Sequence, residues 1–272
     1  MAHSKLVDTH THSLFSSDSK MPFQAALEQA QQKGLAGIVF TEHYDFDVPA
    51  GISAFEFDPK EQQHALREIC DQSPIASCLQ VMAGIEVGMQ PHSIEKINTL
   101  LESHSFDQII ASIHFVDGKD PYHGGYYVGL TPKQAYSRYL ELIFECITQM
   151  TNFDILGHFD YIARYSPYPE SITYRDYADI FDAIFRQMIS NGQALELNTK
   201  TYYLKPDGHP QPDPAIYKRY LELGGEILSL GSDAHKTEHI GIRFEEYADW
   251  AKSLGFRYSV YYRERKAIPL PL

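Results

Sequence analysis

The chain has 272 residues, 43% of them hydrophobic, which supplies a sizeable buried core of a kind that disordered chains lack. Its 36 acidic against 23 basic side chains leave a formal net charge of -13 with no local concentration of Lys and Arg, which excludes a surface built to hold a polyanion. Cys70, Cys78 and Cys146 are odd in number, widely spaced and without a CxxC pair, the pattern of reduced core thiols and not of a disulfide framework.

Met1-Ala2-His3-Ser4-Lys5 lacks the apolar stretch of a signal peptide, and no apolar run reaches membrane-spanning length, so a soluble, cytoplasmic protein is expected. In chain order, a first β-branched run at 5–9 precedes Met21-Pro22-Phe23, which opens a helix that Gly34 closes. A second run at 36–41 leads into a long loop, 44–57. Runs at 79–84 and 107–113 follow, and after the latter comes another long loop, 117–129; both loops are candidate lids. Thr131-Pro132-Lys133-Gln134 offers an N-cap, a first-position proline and a capping-box partner for a helix running towards Met150. Further runs lie at 154–156, 194–197 and 226–230, with a helix over 176–190, closed by Gly192, ahead of the sixth. Seven strands alternating with helices predict an α/β fold of parallel βα units, with the chemistry at the carboxyl ends of the strands. No repeat or low-complexity linker marks a boundary, so residues 1–272 are expected as one domain.

The His, Asp and Glu residues fall at those strand ends. The first run ends in Asp8-Thr9-His10-Thr11-His12, where residues two apart on extended backbone point the same way and can grip one ion. The next strands end in Thr41-Glu42-His43, Gly84-Ile85-Glu86, Ser112-Ile113-His114 and Gly157-His158, and the seventh in Gly231-Ser232-Asp233-Ala234-His235. A single histidine is more often a hydrogen-bonded core or surface residue than a ligand. Six converging strand ends reverse that preference, because burying so many imidazoles together without metal leaves donors and acceptors unsatisfied. His64 and His104 read as solvated helix positions and His3, His92, His123 and His209 as loop residues; His239 stays open. Asp8 is expected to orient a ligand histidine.

These motifs resemble those of the polymerase and histidinol phosphatase (PHP) superfamily over nearly the whole chain. Within it, Ser112-Ile113-His114-Phe115-Val116-Asp117-Gly118 and the chain length resemble the histidinol-phosphate phosphatases. The resemblance implies a distorted (β/α)7 barrel and a trinuclear metal centre. It assigns His10, His12, Glu86 and Asp233 to one ion, Glu86, His114 and His158 to a second, and Asp18, His43 and His235 to a third. Glu86, Asp233 and His235 are the residues on which turnover should depend most. A ligand set without cysteine suits zinc, and equally iron or manganese.

The resemblance also implies a reaction, hydrolysis of L-histidinol phosphate to L-histidinol and phosphate in histidine biosynthesis, by a hydroxide shared between the two ions that Glu86 bridges. Charge supports a small phosphate ester: three divalent ions less three carboxylates and one hydroxide leave about +2, complementary to a phosphomonoester dianion. Arg164, six residues after His158, is a candidate phosphate ligand, or else a surface arginine. Asn198, closing the sixth strand, is a candidate substrate-positioning residue, or else a satisfied core amide. Among 19 tyrosines, Tyr126, Tyr127, Tyr161 and Tyr202 are left unassigned. A nuclease acting on phosphodiesters is the alternative within the superfamily, opposed by the acidic balance, and a metal-binding regulatory module without turnover is the alternative outside enzymes. Asp45-Phe46-Asp47-Val48 carries the two aspartates of the DxDx(T/V) pattern of haloacid dehalogenase-type phosphatases, but follows Thr41-Glu42-His43 and is expected in the loop, so Asp45 is expected to be dispensable.

Overall fold

The computed structural model describes residues 6–203 and 213–272; His3, Lys5 and His209, and the side chain of Tyr202, lie outside the described residues. All seven expected runs are strands: β1 (Val7–Thr11), β2 (Gly37–Asp45), β3 (Gln80–Gly88), β4 (Gln108–Ser112), β5 (Ile155–Leu156), β6 (Ala194–Asn198) and β7 (Leu228–Gly231). They lie side by side in chain order and every pair is parallel. The sheet curls until its ends meet, where His12 N donates to Ala234 O at 2.9 Å and Thr9 Oγ1 to Leu230 O at 2.7 Å. The result is the expected nearly closed α/β barrel with helices between the strands.

Local chemistry sets the helix ends as anticipated. Helix Pro132–Gln149 begins at a capping box in which Thr131 Oγ1 accepts from Gln134 N and Gln134 Oε1 accepts from Thr131 N. Such a cap contributes about 1 kcal/mol. Helix Phe23–Gln32 starts after Pro22, and helix Ala178–Asn191 ends at Gly192, whose left-handed backbone (φ 71°) suits a residue without a Cβ.

Along each strand the inward face changes character from one end of the barrel to the other, because residues two apart share a face. β2 presents Val39, Thr41, His43 and Asp45; β3 presents Met82, Gly84 and Glu86; β4 and its continuation present Ile110, Ser112 and His114. The amino-terminal positions form apolar clusters: Val7, Val39 and Met82 with Tyr261, and Ile110, Ile155 and Ala194 with Val260 and Tyr262. The residues that cover this end belong to a hairpin that the sequence reading missed, β8 (Tyr258–Arg263) and β9 (Lys266–Pro271), turning through Glu264 and Arg265 in left-handed conformation. One end of the barrel is therefore plugged with hydrocarbon and the polar residues crowd the other.

Candidate metal centre

Glu86, fully buried on β3, is the hub of that polar end. Its two oxygens face two different sets of rings. Oε2 lies 2.9 Å from His43 Nδ1, 3.2 Å from His10 Nε2 and 3.5 Å from His12 Nε2. Oε1 lies 2.8 Å from His158 Nε2 and 3.2 Å from His114 Nε2, and accepts from Ser112 Oγ at 2.7 Å. Asp233 Oδ1 stands 3.6 Å from His12 Nε2. A third grouping lies further out, with Asp18 Oδ2 3.1 Å from His235 Nε2 and 3.6 Å from His43 Nε2. Eight of the nine positions singled out in the sequence thus fall in overlapping groups whose ligand-type atoms lie within 4.8 Å of one another, such as His10, His12 and Glu86, or His12, His43 and His235, and the ninth, Asp18, joins them through its contacts with His235 and His43.

The donor chemistry of the cluster fits a set of metal ligands. His10 Nε2, His12 Nε2, His43 Nδ1 and Glu86 Oε2 are buried and accept or donate no hydrogen bond among the described residues, although they converge on one another. Buried polar atoms without partners each cost about 1–3 kcal/mol, a cost that divalent cations between them would remove. Burial, then the neighbouring His43 and His235 rings, hold His12 well below its ordinary pKa, in the neutral form that has a lone pair to give. Burial alone would raise the Glu86 carboxyl, but the facing His10, His114 and His43 outweigh it and keep it well below the usual carboxylate range.

The far side of two rings, His10 and His114, is held as ligand histidines require, with Nδ1–H given to a carboxylate so that Nε2 faces the centre. His10 Nδ1 donates to Glu196 Oε1 at 2.6 Å, and Glu196 Oε2 accepts from His158 N at 2.6 Å. Glu196 went unrecognised in the sequence, where its signal was a lone carboxylate inside the apolar run Ala194-Leu195-Glu196-Leu197. Gly231 makes room for it, since a Cβ there would lie 2.3 Å from Glu196 Oε1. Asp8 does not orient a histidine ring as expected. Its carboxylate accepts from Ser232 N, Ser232 Oγ and Gly241 N, so it anchors the backbone that carries Asp233. Asp45 is a second correction. It is the last residue of β2, not part of the loop, is 1% exposed, and accepts from His114 Nδ1.

The profile of the PHP domain matches residues 8–200, most of the chain. The chain belongs to the PHP domain family. It is 30% identical to a probable histidinol-phosphatase of Clostridium acetobutylicum over 95% of this chain and 97% of that protein, and 29% identical to the histidinol-phosphatase of Lactococcus lactis over 93% and 92%. A solved structure of histidinol phosphate phosphatase from Lactococcus lactis, complexed with zinc, L-histidinol and phosphate, superposes with a TM-score of 0.89. It is 28% identical and covers 97% of this chain and 99% of its own.

A cleft of about 740 Å³ opens over the centre of this PHP domain, walled by both of the expected long loops, through Ile52 and Phe55 on one and Asp120 and Tyr122 on the other. Arg164 lines it but is no surface arginine: it is 5% exposed, donates from Nη1 to Asp233 Oδ2 at 2.7 Å, and is held by Thr201 and Asn198. Asn198 has both ends of its amide engaged, accepting from Arg164 and from Lys200 N and donating to Glu196 Oε2, and it is not among the residues facing the cleft. The core-amide alternative fits it, in a position that braces Arg164. Lys200, another residue the sequence did not mark, donates to Asp233 Oδ1 at 2.9 Å and lies 3.2 Å from His235 Nδ1. Asp233 itself sits in the left-handed region (φ 51°), and although burial opposes its charge, Lys200 and Arg164 hold its carboxyl well below the ordinary range. His64, His92 and His123 are exposed as expected, while His104 is half-buried and His239 lines the cleft.

Proposed function

We propose that this chain is a metal-dependent phosphomonoesterase that hydrolyses L-histidinol phosphate to L-histidinol and inorganic phosphate. The observation that carries the reading is the division of Glu86 between two sets of histidine rings, beneath a cleft with cationic side chains in its wall, in a chain alike along nearly its whole length to named histidinol-phosphatases. His10, His12, Glu86 and Asp233 would hold one divalent ion, Glu86, His114 and His158 a second, and Asp18, His43 and His235 a third. Zinc is the metal we favour, because the ligand set is imidazole and carboxylate and the Lactococcus lactis protein carries zinc.

Bound metals supply Lewis acidity to the phosphoryl oxygens and to the attacking water. The chain's own groups do the rest. Glu86 spaces the two inner ligand sets, and Glu196 and Asp45 fix the rings of His10 and His114 so that their Nε2 atoms face inward. Arg164 and Lys200 keep Asp233 ionised and place two cationic groups in the cleft wall where a phosphate dianion would dock. The partner is a small phosphate ester and not nucleic acid, and the work is that of a cytoplasmic biosynthetic enzyme in one barrel spanning 1–272. No helix among the described residues is long and apolar enough to cross a membrane. The test is phosphate release across a panel of monoesters and diesters, with metal content quantified on the same preparation. L-Histidinol phosphate should rank first in kcat/KM, and a sugar phosphate or nucleotide far above it would overturn the reading.

A further inference from the structure

The cleft is lined by charged groups of both signs, and the function proposed above accounts for only some of them. Lys200, Arg164 and Lys236 line the side next to Asp233 and His235. The loop after β4 brings Asp120, Tyr122 and His123 to the same cleft. Of the three carboxylates lining it among the described residues, Asp18 and Asp233 belong to the proposed ligand set, and Asp120 alone does not.

Asp120 is recessed and held in place, its side chain 11% exposed. One oxygen accepts from Tyr122 N at 2.7 Å and the other lies 2.5 Å from Nδ1 of the exposed His123; no Lys or Arg among the described residues pairs with it. A row of rings leads from this loop to the metal centre. Tyr122 packs 5.0 Å from Tyr165, Tyr165 packs 5.1 Å from Tyr161, and Tyr161 lies 5.1 Å from His158 and 5.7 Å from His114. Asp120 is close enough for its charge to act on Tyr161, whose phenol is held well above its ordinary range by burial first, then by Tyr165 and Asp120. A carboxylate without a permanent cationic partner, set into an aromatic wall, is suited to a ligand that is cationic beside a flat ring.

We infer that Asp120 determines specificity by binding the protonated amine of the substrate while the phosphate lies at the Arg164 and Lys200 side. The inference rests on the phosphatase reading and deepens it. An alkyl amine is charged at neutral pH, as a lysine is, so a substrate with phosphate at one end and ammonium at the other matches the sign of both walls.

The test compares L-histidinol phosphate with its deamino analogue, imidazolylpropyl phosphate, in the wild type and in Asp120→Asn and Asp120→Glu. The ratio of the two kcat/KM values cancels any general loss of activity, which a disturbed loop would impose on both esters. Wild type should favour the amine-bearing ester by about 10-fold or more. Asp120→Asn should bring the ratio close to one, with the loss in KM, and Asp120→Glu should recover part of it. An unchanged ratio in Asp120→Asn overturns the inference. A wild type that hydrolyses both esters equally overturns it while leaving the phosphatase reading intact, and a wild type that hydrolyses neither overturns both.

Discussion

The Asp45 carboxylate and the His114 ring meet at the end of the barrel strands, with Oδ1 and Oδ2 2.9 and 3.1 Å from Nδ1, while His114 Nε2 faces Glu86. The contact fixes the tautomer of a proposed metal ligand from behind. It also explains Gly88, where a Cβ would stand 1.7 Å from Asp45 Oδ1. Asp45→Asn is therefore expected to lower metal affinity and turnover by about 10- to 100-fold, the usual effect of removing such a partner, in place of the tolerance that a loop position would confer. Titration of apo protein with zinc, alongside kcat, checks it; wild-type affinity would show that the contact is idle.

Glu86→Gln keeps the size of the side chain and removes the charge that both inner ligand sets share. Loss of two ions and a fall in kcat larger than that for Asp45→Asn are expected, since the missing group touches both sets directly and not through another residue. Metal analysis of the purified variant decides the matter. Retention of every ion with near-normal turnover is incompatible with a bridge.

How much of this was legible beforehand follows from parity along the strands. His43, Glu86 and His114 stood out because each closes an apolar run, and the end of a run is where a barrel collects side chains. Asp45 was misread because the apolar pattern of β2 stops at Phe40 while its hydrogen-bonded ladder continues, through buried polar residues, to pair Asp45 with Gly88. Lys200 lies two residues beyond β6, where nothing in the pattern distinguishes it from a solvated lysine. The β8 and β9 hairpin was hidden for another reason. Its turn uses Glu264 and Arg265 in left-handed conformation, where Asn-Gly would have announced it, and its register is fixed by the barrel floor, with Gln108 bonded to Thr9 O on one side and Tyr262 N on the other.

Removing metal should cost stability as well as activity. His10 Nε2, His12 Nε2 and Glu86 Oε2 are buried without a hydrogen bond among the described residues, so cations that bind the folded state alone add about 2.7 kcal/mol at a hundredfold excess over Kd. Chelation is expected to lower Tm by about 5 °C or more, and zinc to restore it in a concentration-dependent way. An unchanged Tm across the titration would mean that the cluster folds as well without metal.

Arg164 tests whether phosphate and Asp233 share one cation. Its guanidinium is buried against Asp233, so Arg164→Met leaves a buried carboxylate without one of its two basic partners and should destabilise the protein by a few kcal/mol. Arg164→Lys keeps the charge without the planar fork. It is expected to fold, to raise the inhibition constant of inorganic phosphate several-fold and to raise KM more than it lowers kcat. If phosphate inhibition stays unchanged while turnover falls, Arg164 serves Asp233 only.

The stereochemical course separates two kinds of phosphatase chemistry. The sequence contains an Asp45-Phe46-Asp47-Val48 segment of the sort that forms a covalent phosphoenzyme, and the first aspartate of such a pair must reach phosphorus with a free oxygen. Asp45 has none to offer: both of its oxygens lie within hydrogen-bonding distance of His114 Nδ1, it is buried, and it packs against the backbone of Gly88. Asp47 is paired with Lys96 on the outer surface. Attack by water in one in-line displacement is therefore expected, with inversion at phosphorus and no phosphorylated protein after rapid quenching. A chiral phosphate ester reports the first outcome and labelled substrate the second. Retention of configuration requires two displacements, and a label on Asp45 would require β2 to release His114 during turnover; either result would transfer the nucleophile from water to the protein.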